Sequence, residues 1–528
     1  MRAHRTLPLI AAVVAIAGCS TPEPKVVEPA REFVYYNGPE PRTVDPGLLT
    51  DSYGAFLALN LFEGLTVWDA GAQQVRPGVA ASWEVSDDHR RYTFNLRDDA
   101  RWSDGSSVTA DQFVTAWQRV LNPDTQAAFA TLLYPIRGAR ELHTGQTTDA
   151  SRFGARAVGP HTLEVNLDSP VPYFLALTAD AVMLPVNPGC LKKYGWAWTD
   201  PDKIVTNGAY KMTSWTAGAR VELVKNTRYW GADAVDIEKV VALMTPPEEG
   251  LIDAFEAGSI HWTGFGGDSL EQSRWSELAS SPALRSHETL LTGYLVFNTA
   301  LPPFDDDRIR RALACALDRD AIAAPGGRLA TEHLVPKGLP GYDPAPGMSP
   351  DLERARAHLT EAGYPGGVGL PPIEIAVDTA EANVAAMEEV ARQWRENLGL
   401  DVTVYQREWR IHISSVYEGS FQVARYAWSA DYPDASNFME IFLSSSPLNP
   451  AAWSDDAFED FFKESQRTTD AESYSRLLQS AEKRLLEQAP IVPLYNATSR
   501  CLLDPTIRGY EDNLLNMHLI KYLSFGAP

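Results

Sequence analysis

"IEIAVDTAEANVAAMEEVARQWRENLGLDVTVY", Ile373 to Tyr405, contains two kinds of hydrophobic pattern. In "IEIAVD", Ile373, Ile375 and Val377 alternate with other residues, the period of a strand. From Glu381 the period lengthens: Val384, Met387, Ala391, Trp394 and Leu398 fall on one helical face. Gly399 follows as a residue that can close the helix in the left-handed conformation. "LDVTVY" alternates again and reads as a second strand. Strand, helix and strand with short joints predict a βαβ unit with parallel pairing, and so an α/β fold. Downstream, "FQVARYAWSADYP" (Phe421–Pro433) predicts a further strand, "SYSRLLQSAEKRLLEQ" (Ser473–Gln488) a long helix and "IVPLY" (Ile491–Tyr495) a strand. The first half is richer in strands, among them "RYTFNL" (Arg91–Leu96) and "HTLEVNL" (His161–Leu167). Between these two, "TADQFVTAWQRVLNP" opens with Thr109 three residues before Gln112, the spacing of a capping box.

A chain of 528 residues is too long for one core and predicts two or three domains. Its net charge of −23, with no basic run, argues against nucleic acid, which requires a basic footprint. Arg2 and Arg5 precede the short apolar run "LPLIAAVVAIA", too short to span a bilayer and read as a signal peptide. "AIAGCS" places small residues before Cys19 and resembles a bacterial lipobox, which implies lipidation of Cys19. The Pro-rich "TPEPKVVEPA" then reads as a tether. Of the other cysteines, Cys315 sits in a helical pattern as a small hydrophobe. Cys190 and Cys501 could pair in an oxidising compartment, and the sequence leaves that open.

No H-E-x-x-H, G-x-S-x-G, Walker or complete G-x-G-x-x-G motif occurs, and the 10 histidines are scattered. No metal or cofactor is therefore expected. "DDD" (Asp305–Asp307) precedes a helix, where acid complements the macrodipole. The charges in "VARYAWSADYPD" (Val423–Asp434) remain. Arg425 lies within an apolar strand and Asp431 just past its end, and both are costly to bury unpaired. A turn at "SADYP" would let the two pair with each other. Otherwise one ligand with opposite charges at its ends, such as a short peptide, would join them. Six residues extend to about 20 Å and a tripeptide to about 10 Å, so the strand end would have to bend.

From about Phe33 onward the chain resembles the periplasmic oligopeptide-binding proteins of ABC importers, the peptide/nickel solute-binding family 5. The resemblance rests on "LFEGLTVWD", "WSDGSSVTADQFVTAWQRV", "IVTNGAYKMTSW", "RIRRALACALDRDAI" and "YAWSADYPDASNF". It implies a two-lobed flytrap of the periplasmic-binding-protein fold with an extra subdomain. The expected division is 1–18 signal peptide, 19–32 lipid tether, 33–52 with 182–290 and 499–528 as lobe one, 53–181 as the extra subdomain, and 291–498 as lobe two. The resemblance also implies that Asp431 takes the peptide ammonium and Arg425 the carboxylate of short peptides. Trp428, Ser429 and Tyr432 share the Asp431 motif, Trp409 would line a side-chain pocket, and Glu40 would edge the ligand strand. Backbone pairing as in strand addition would leave side chains in roomy pockets. Ser429 stands where one well-known member has a cysteine, and "TGYLVFNT" (Thr292–Thr299) has none to pair with it. Asn383 stands where a histidine is expected, and the loop "PGGRLATEHLVPKG" (Pro325–Gly338) also departs from the family.

The expected function is capture of short peptides for an ABC permease and ATPase by a monomer held to the membrane only through lipid, at a cell surface or in a periplasm. Within the family, a modified peptide, an opine or a nickel chelate is the alternative. A secreted peptidase is the alternative from another class, and no nucleophile–base motif supports it.

Overall fold

The computed structural model describes residues 32–246, 250–264, 274–446 and 448–526. The signal, lipidation and tether readings therefore lie outside the described residues. Two sheets organise the rest into two lobes. In the first, Glu32–Tyr36 pairs in parallel with Lys239–Leu243, which continues antiparallel to Arg220–Lys225 and Tyr210–Thr216. A separate antiparallel sheet of Ala80–Val85, Arg91–Leu96, Thr162–Asn166 and Ala155–Gly159 packs into the same hydrophobic core. Beside it lies helix Ala110–Leu121, whose capping box between Thr109 and Gln112 forms. It buries Phe113, Ala116, Trp117 and Val120, the face its sequence period marks.

The second lobe is built on six strands in the order Leu329–Ala330, Ile491–Leu502, Leu284–Phe297, Val423–Ser429, Ile373–Asp378, Val402–Arg407. The strand–helix–strand unit is as expected: Ile373–Asp378 pairs in parallel with Val402–Arg407 across helix Glu381–Leu398, and Gly399 ends the helix at φ 71°. Val423–Ser429 is parallel to Ile373–Asp378 and antiparallel to Leu284–Phe297, so it is central and has ladders on both sides. That position explains its apolar composition.

Two strands are longer than their apolar runs. Leu284–Phe297 and Ile491–Leu502 pair with each other at both ends, with a register shift between Glu288 and Thr292. At Asp305–Asp307 the acidic run caps a helix, with Asp306 Oδ1 accepting from the Arg308 N–H at 2.9 Å. Cys190 and Cys501 are free and buried. Cys190 Sγ lies 3.1 Å from the Lys203 carbonyl and Cys501 Sγ lies 3.3 Å from Tyr510 Oη. Cys315 is fully buried, as its helical setting implies.

Candidate ligand site

Three of the candidate residues lie along or just past one strand, Val423–Ser429: Arg425 near its start, Trp428 near its end and Asp431 beyond it. Arg425, 7% exposed, sits opposite Leu295 in the ladder. Its Nε donates to Tyr495 Oη at 3.1 Å and its Nη1 lies 3.5 Å from Asp378 Oδ2. Asp378 ends the parallel neighbour strand. Its carboxylate also takes the Asn383 amide at 3.0 and 2.9 Å and the Ala380 N–H at 2.9 Å. Asn383 Oδ1 in turn accepts from Arg328 Nη2 at 2.6 Å, and the Arg328 guanidinium lies 4.2 Å over the Tyr495 ring. Gly293 makes room for that ring, since a Cβ there would meet Tyr495 at 2.2 Å. The Arg425 carbonyl is 2.8 Å from His412 Nε2. Burial lowers the His412 pKa, so the neutral ring donates from Nε2. The ion pair of Arg425 is thus with Asp378 rather than Asp431.

The other end differs. Asn437 Oδ1 accepts from Trp428 Nε1 and from the Asp431 N–H, both at 3.0 Å, and fixes the bend after Ser429. Asp431 is half-buried. Burial pushes its pKa up to about 6 against the lowering effect of Asn437. Glu440 is raised to about 7, first by burial and further by Asp431, although Tyr432 Oη and Asn437 Nδ2 donate to it at 3.1 and 2.9 Å. Asp434 is raised by burial and accepts from Tyr474 Oη at 2.7 Å. Asp180, from the other lobe, is raised to about 7 by burial and by the charge of Asp431. Among the described residues no Lys or Arg acts on Asp180, Asp431 or Asp434.

The remaining candidates are dispersed. Ser429 is exposed and, with Ala430, borders a cavity of about 340 Å³ lined also by Tyr53, Phe56 and Leu290. Tyr432 is buried against Tyr173, with stacked rings 4.2 Å apart. Trp409 opens helix Trp409–Tyr417 and is 53% exposed. Glu40 is exposed on the first lobe. Its carboxylate accepts from Trp215 Nε1 at 2.7 Å and the Gly218 N–H at 2.9 Å. Asp378, Tyr495, Asn437, Glu440 and Asp180 complete the surroundings without having been singled out. Asp378 carried a usable signal, a charge ending an apolar strand, which is the feature that marked Asp431. Among the described residues no group of His, Cys, Asp and Glu could hold a metal ion, and no helix is long and apolar enough to cross a membrane.

A family model described as bacterial extracellular solute-binding proteins, family 5 Middle, matches residues 74–450. The chain is 32% identical over 537 residues to the periplasmic oligopeptide-binding protein OppA of Escherichia coli K12, covering 97% of each chain. It is also 32% identical over 495 residues to a probable deoxycholate-binding periplasmic protein, YgiS, of the same strain, covering 91% of each. Among solved structures, the murein tripeptide-binding protein MppA of Escherichia coli superposes with a TM-score of 0.80 at 30% identity, over 94% of this chain and 99% of that one.

Proposed function

We propose, from the premise that the chain belongs to the bacterial extracellular solute-binding proteins of family 5, that it captures short peptides and delivers them to an ABC importer. Asp431 carries this reading. It is a desolvated carboxylate at the carboxyl end of a central strand, where ligands of α/β sheets sit, and no cation among the described residues meets it. A peptide ammonium would supply the missing charge. Arg425, whose guanidinium meets Asp378 and Tyr495, would take the peptide carboxylate. Trp428 and Tyr432 set the strand end, Ser429 and Trp409 border the space for side chains, and Glu40 edges it from the first lobe. The protein acts by binding and catalyses no reaction.

The test is calorimetry with trialanine, N-acetyl-trialanine and deoxycholate. Tight binding of trialanine alone is the expected result. Preference for deoxycholate, which has no amine, would sink the peptide reading. We further propose that the mature chain is a monomer anchored through lipid on Cys19 at the outer face of a cytoplasmic membrane or in a periplasm. Cys19→Ala should then move the protein from the detergent to the aqueous phase, and an unchanged partition would reject the anchor.

A further inference from the structure

Asp378 ends its strand just before the joint to helix Glu381–Leu398, and its Oδ2 lies 3.5 Å from Arg425 Nη1 on the next strand. Both side chains are closed off from water, that of Arg425 being 9% exposed and that of Asp378 4%. The carboxylate is fixed by further donors: Asn383 Nδ2 reaches both oxygens and the Ala380 N–H reaches Oδ1. The guanidinium is fixed as well. Its Nε donates to Tyr495 Oη, and the Tyr495 ring packs against Gly293 and under the Arg328 guanidinium.

A carboxylate of the protein thus sits on the guanidinium to which a ligand carboxylate would come. Arg328 is joined to the pair through Asn383, whose Oδ1 takes Arg328 Nη2 at 2.6 Å while its Nδ2 donates to Asp378. The ion pair itself is between Asp378 and Arg425. A ligand carboxylate brought to Arg425 meets this arrangement in one of two ways. It shares the guanidinium with Asp378, and two like charges then lie close together where water is scarce. Or it displaces Asp378, and a buried carboxylate loses its charge partner. Each way cancels part of what the new ion pair supplies.

We propose that Asp378 is a specificity-determining residue: a carboxylate of the protein's own that occupies Arg425 and weakens its hold on the carboxylate of a ligand. The amine then selects the ligand more than the carboxyl group does. Peptides with a free amine are accepted with a neutral carboxyl end, such as an amide or ester, and with a chain that carries its carboxylate beyond Arg425. Ligands recognised by a carboxylate alone, such as N-acylated amino acids, are disfavoured. Asp378 does this through Arg425, so it is a positioning residue rather than a contact to the ligand. The inference rests on the peptide-capture reading for the pose of the ligand, with its amine toward Asp431 and its other end toward Arg425.

The test is calorimetry with trialanine and trialanine amide on wild type, Asp378→Asn and Asp378→Glu. Wild type should favour the acid over the amide by no more than about fivefold. Asp378→Asn keeps the shape and drops the competing charge. It should bind trialanine about tenfold more tightly and the amide nearly as before, the order of effect expected from removing one like charge beside a bound carboxylate. Asp378→Glu retains the charge and should keep the wild-type ratio of acid to amide, a ratio that a merely structural role would not move in Asp378→Asn. An acid preference above about fivefold in wild type overturns the inference without any variant. So does a ratio that Asp378→Asn leaves unchanged, or one that Asp378→Glu shifts as Asp378→Asn does. If neither peptide binds wild type, the peptide-capture reading fails and this inference with it. Binding of both with an unchanged ratio in Asp378→Asn rejects the inference alone.

Discussion

At Arg425 the guanidinium has met its partners: Asp378 faces it, Tyr495 bonds it, and Asn383 and Ala380 hold Asp378 in place. At Asp431, a few residues further along the same chain, the carboxylate has an amide neighbour and other acids, and no cation among the described residues. One end of the strand is electrostatically complete and the other is not. A completed buried charge pair serves the fold, since breaking it strands a charge. An incomplete one has a cost in the empty protein that only an incoming group removes. The difference teaches where binding energy is to be sought: the affinity of this site depends mainly on Asp431, and its architecture mainly on Arg425.

The largest expected effect tests that assignment directly. Asp431→Asn keeps the shape and removes the charge, so free-amine peptides should lose roughly 2–5 kcal/mol, or about 30- to 4000-fold in affinity. N-acetylation of the peptide should cost wild type a similar amount and the variant far less, measured by calorimetry on all four combinations. Equal binding of acetylated and free peptide to wild type would break the comparison at its stronger end.

Arg425→Met should show the reverse balance. Its main effect falls on stability, about 3 kcal/mol in urea unfolding. That is the low end for breaking a buried pair, because the contact is 3.5 Å long and Asp378 keeps its other donors. Asp378→Asn in the same chain should recover part of the loss. Peptide amidation should weaken binding to wild type and matter less in Arg425→Met. A variant as stable as wild type would mean that the pair with Asp378 does not hold the strand end.

A smaller effect comes from pH. The folded-state pKa of Asp431 is raised to about 6, above the ordinary carboxylate range, so the unfolded chain gives up that proton first. The penalty on folding is full above pH 6 and vanishes below about pH 4. Ligand-free protein should therefore gain stability as pH falls from 7 to 4, by about 1–2 kcal/mol from this group. Asp431→Asn should make the slope shallower, with Asp180 and Glu440 supplying the rest, and Arg425→Met should leave it. A wild-type slope of opposite sign would show that other groups outweigh Asp431.

What the sequence discloses of this arrangement follows the range of each interaction. The unit Ile373–Arg407 is legible because strand and helix periods are local and each element commits one face to burial. The capping box at Thr109 is legible for the same reason. Ile491–Leu502 is legible only in its apolar portion "IVPLY", and the polar start of Leu284–Phe297 carries no strand period. "LRSHETLL" and "NATSR" carry polar residues, and mutual hydrogen bonding rather than burial extends those strands. Asp431 and Arg425 stand out because charge in an apolar strand is a local anomaly. Tyr173 does not, since its stack with Tyr432 joins residues some 250 positions apart. The loop carrying Arg328 is legible as unusual but not as a neighbour of Tyr495, which the fold alone supplies.

The smallest expected effect belongs to neither end of the strand. Trp409 is 53% exposed at the first position of its helix, so it contributes little to any core. Truncation of such a surface residue should shift stability by no more than about 0.5 kcal/mol. If a ligand side chain covers part of the ring, some 40 Å² of apolar surface leaves water, worth about 1 kcal/mol or roughly fivefold in affinity. Trp409→Ala should therefore weaken a peptide with a large apolar side chain, such as trileucine, by about fivefold, and leave trialanine nearly unchanged. The contrast matters because the charges at Arg425 and Asp431 are indifferent to side chains, whereas the ring is not. Equal losses for the two peptides would place the indole against the peptide backbone. A loss above about 30-fold would make Trp409 an anchor comparable to Asp431, and the site could then no longer be divided into one end that holds the fold and one that holds the ligand.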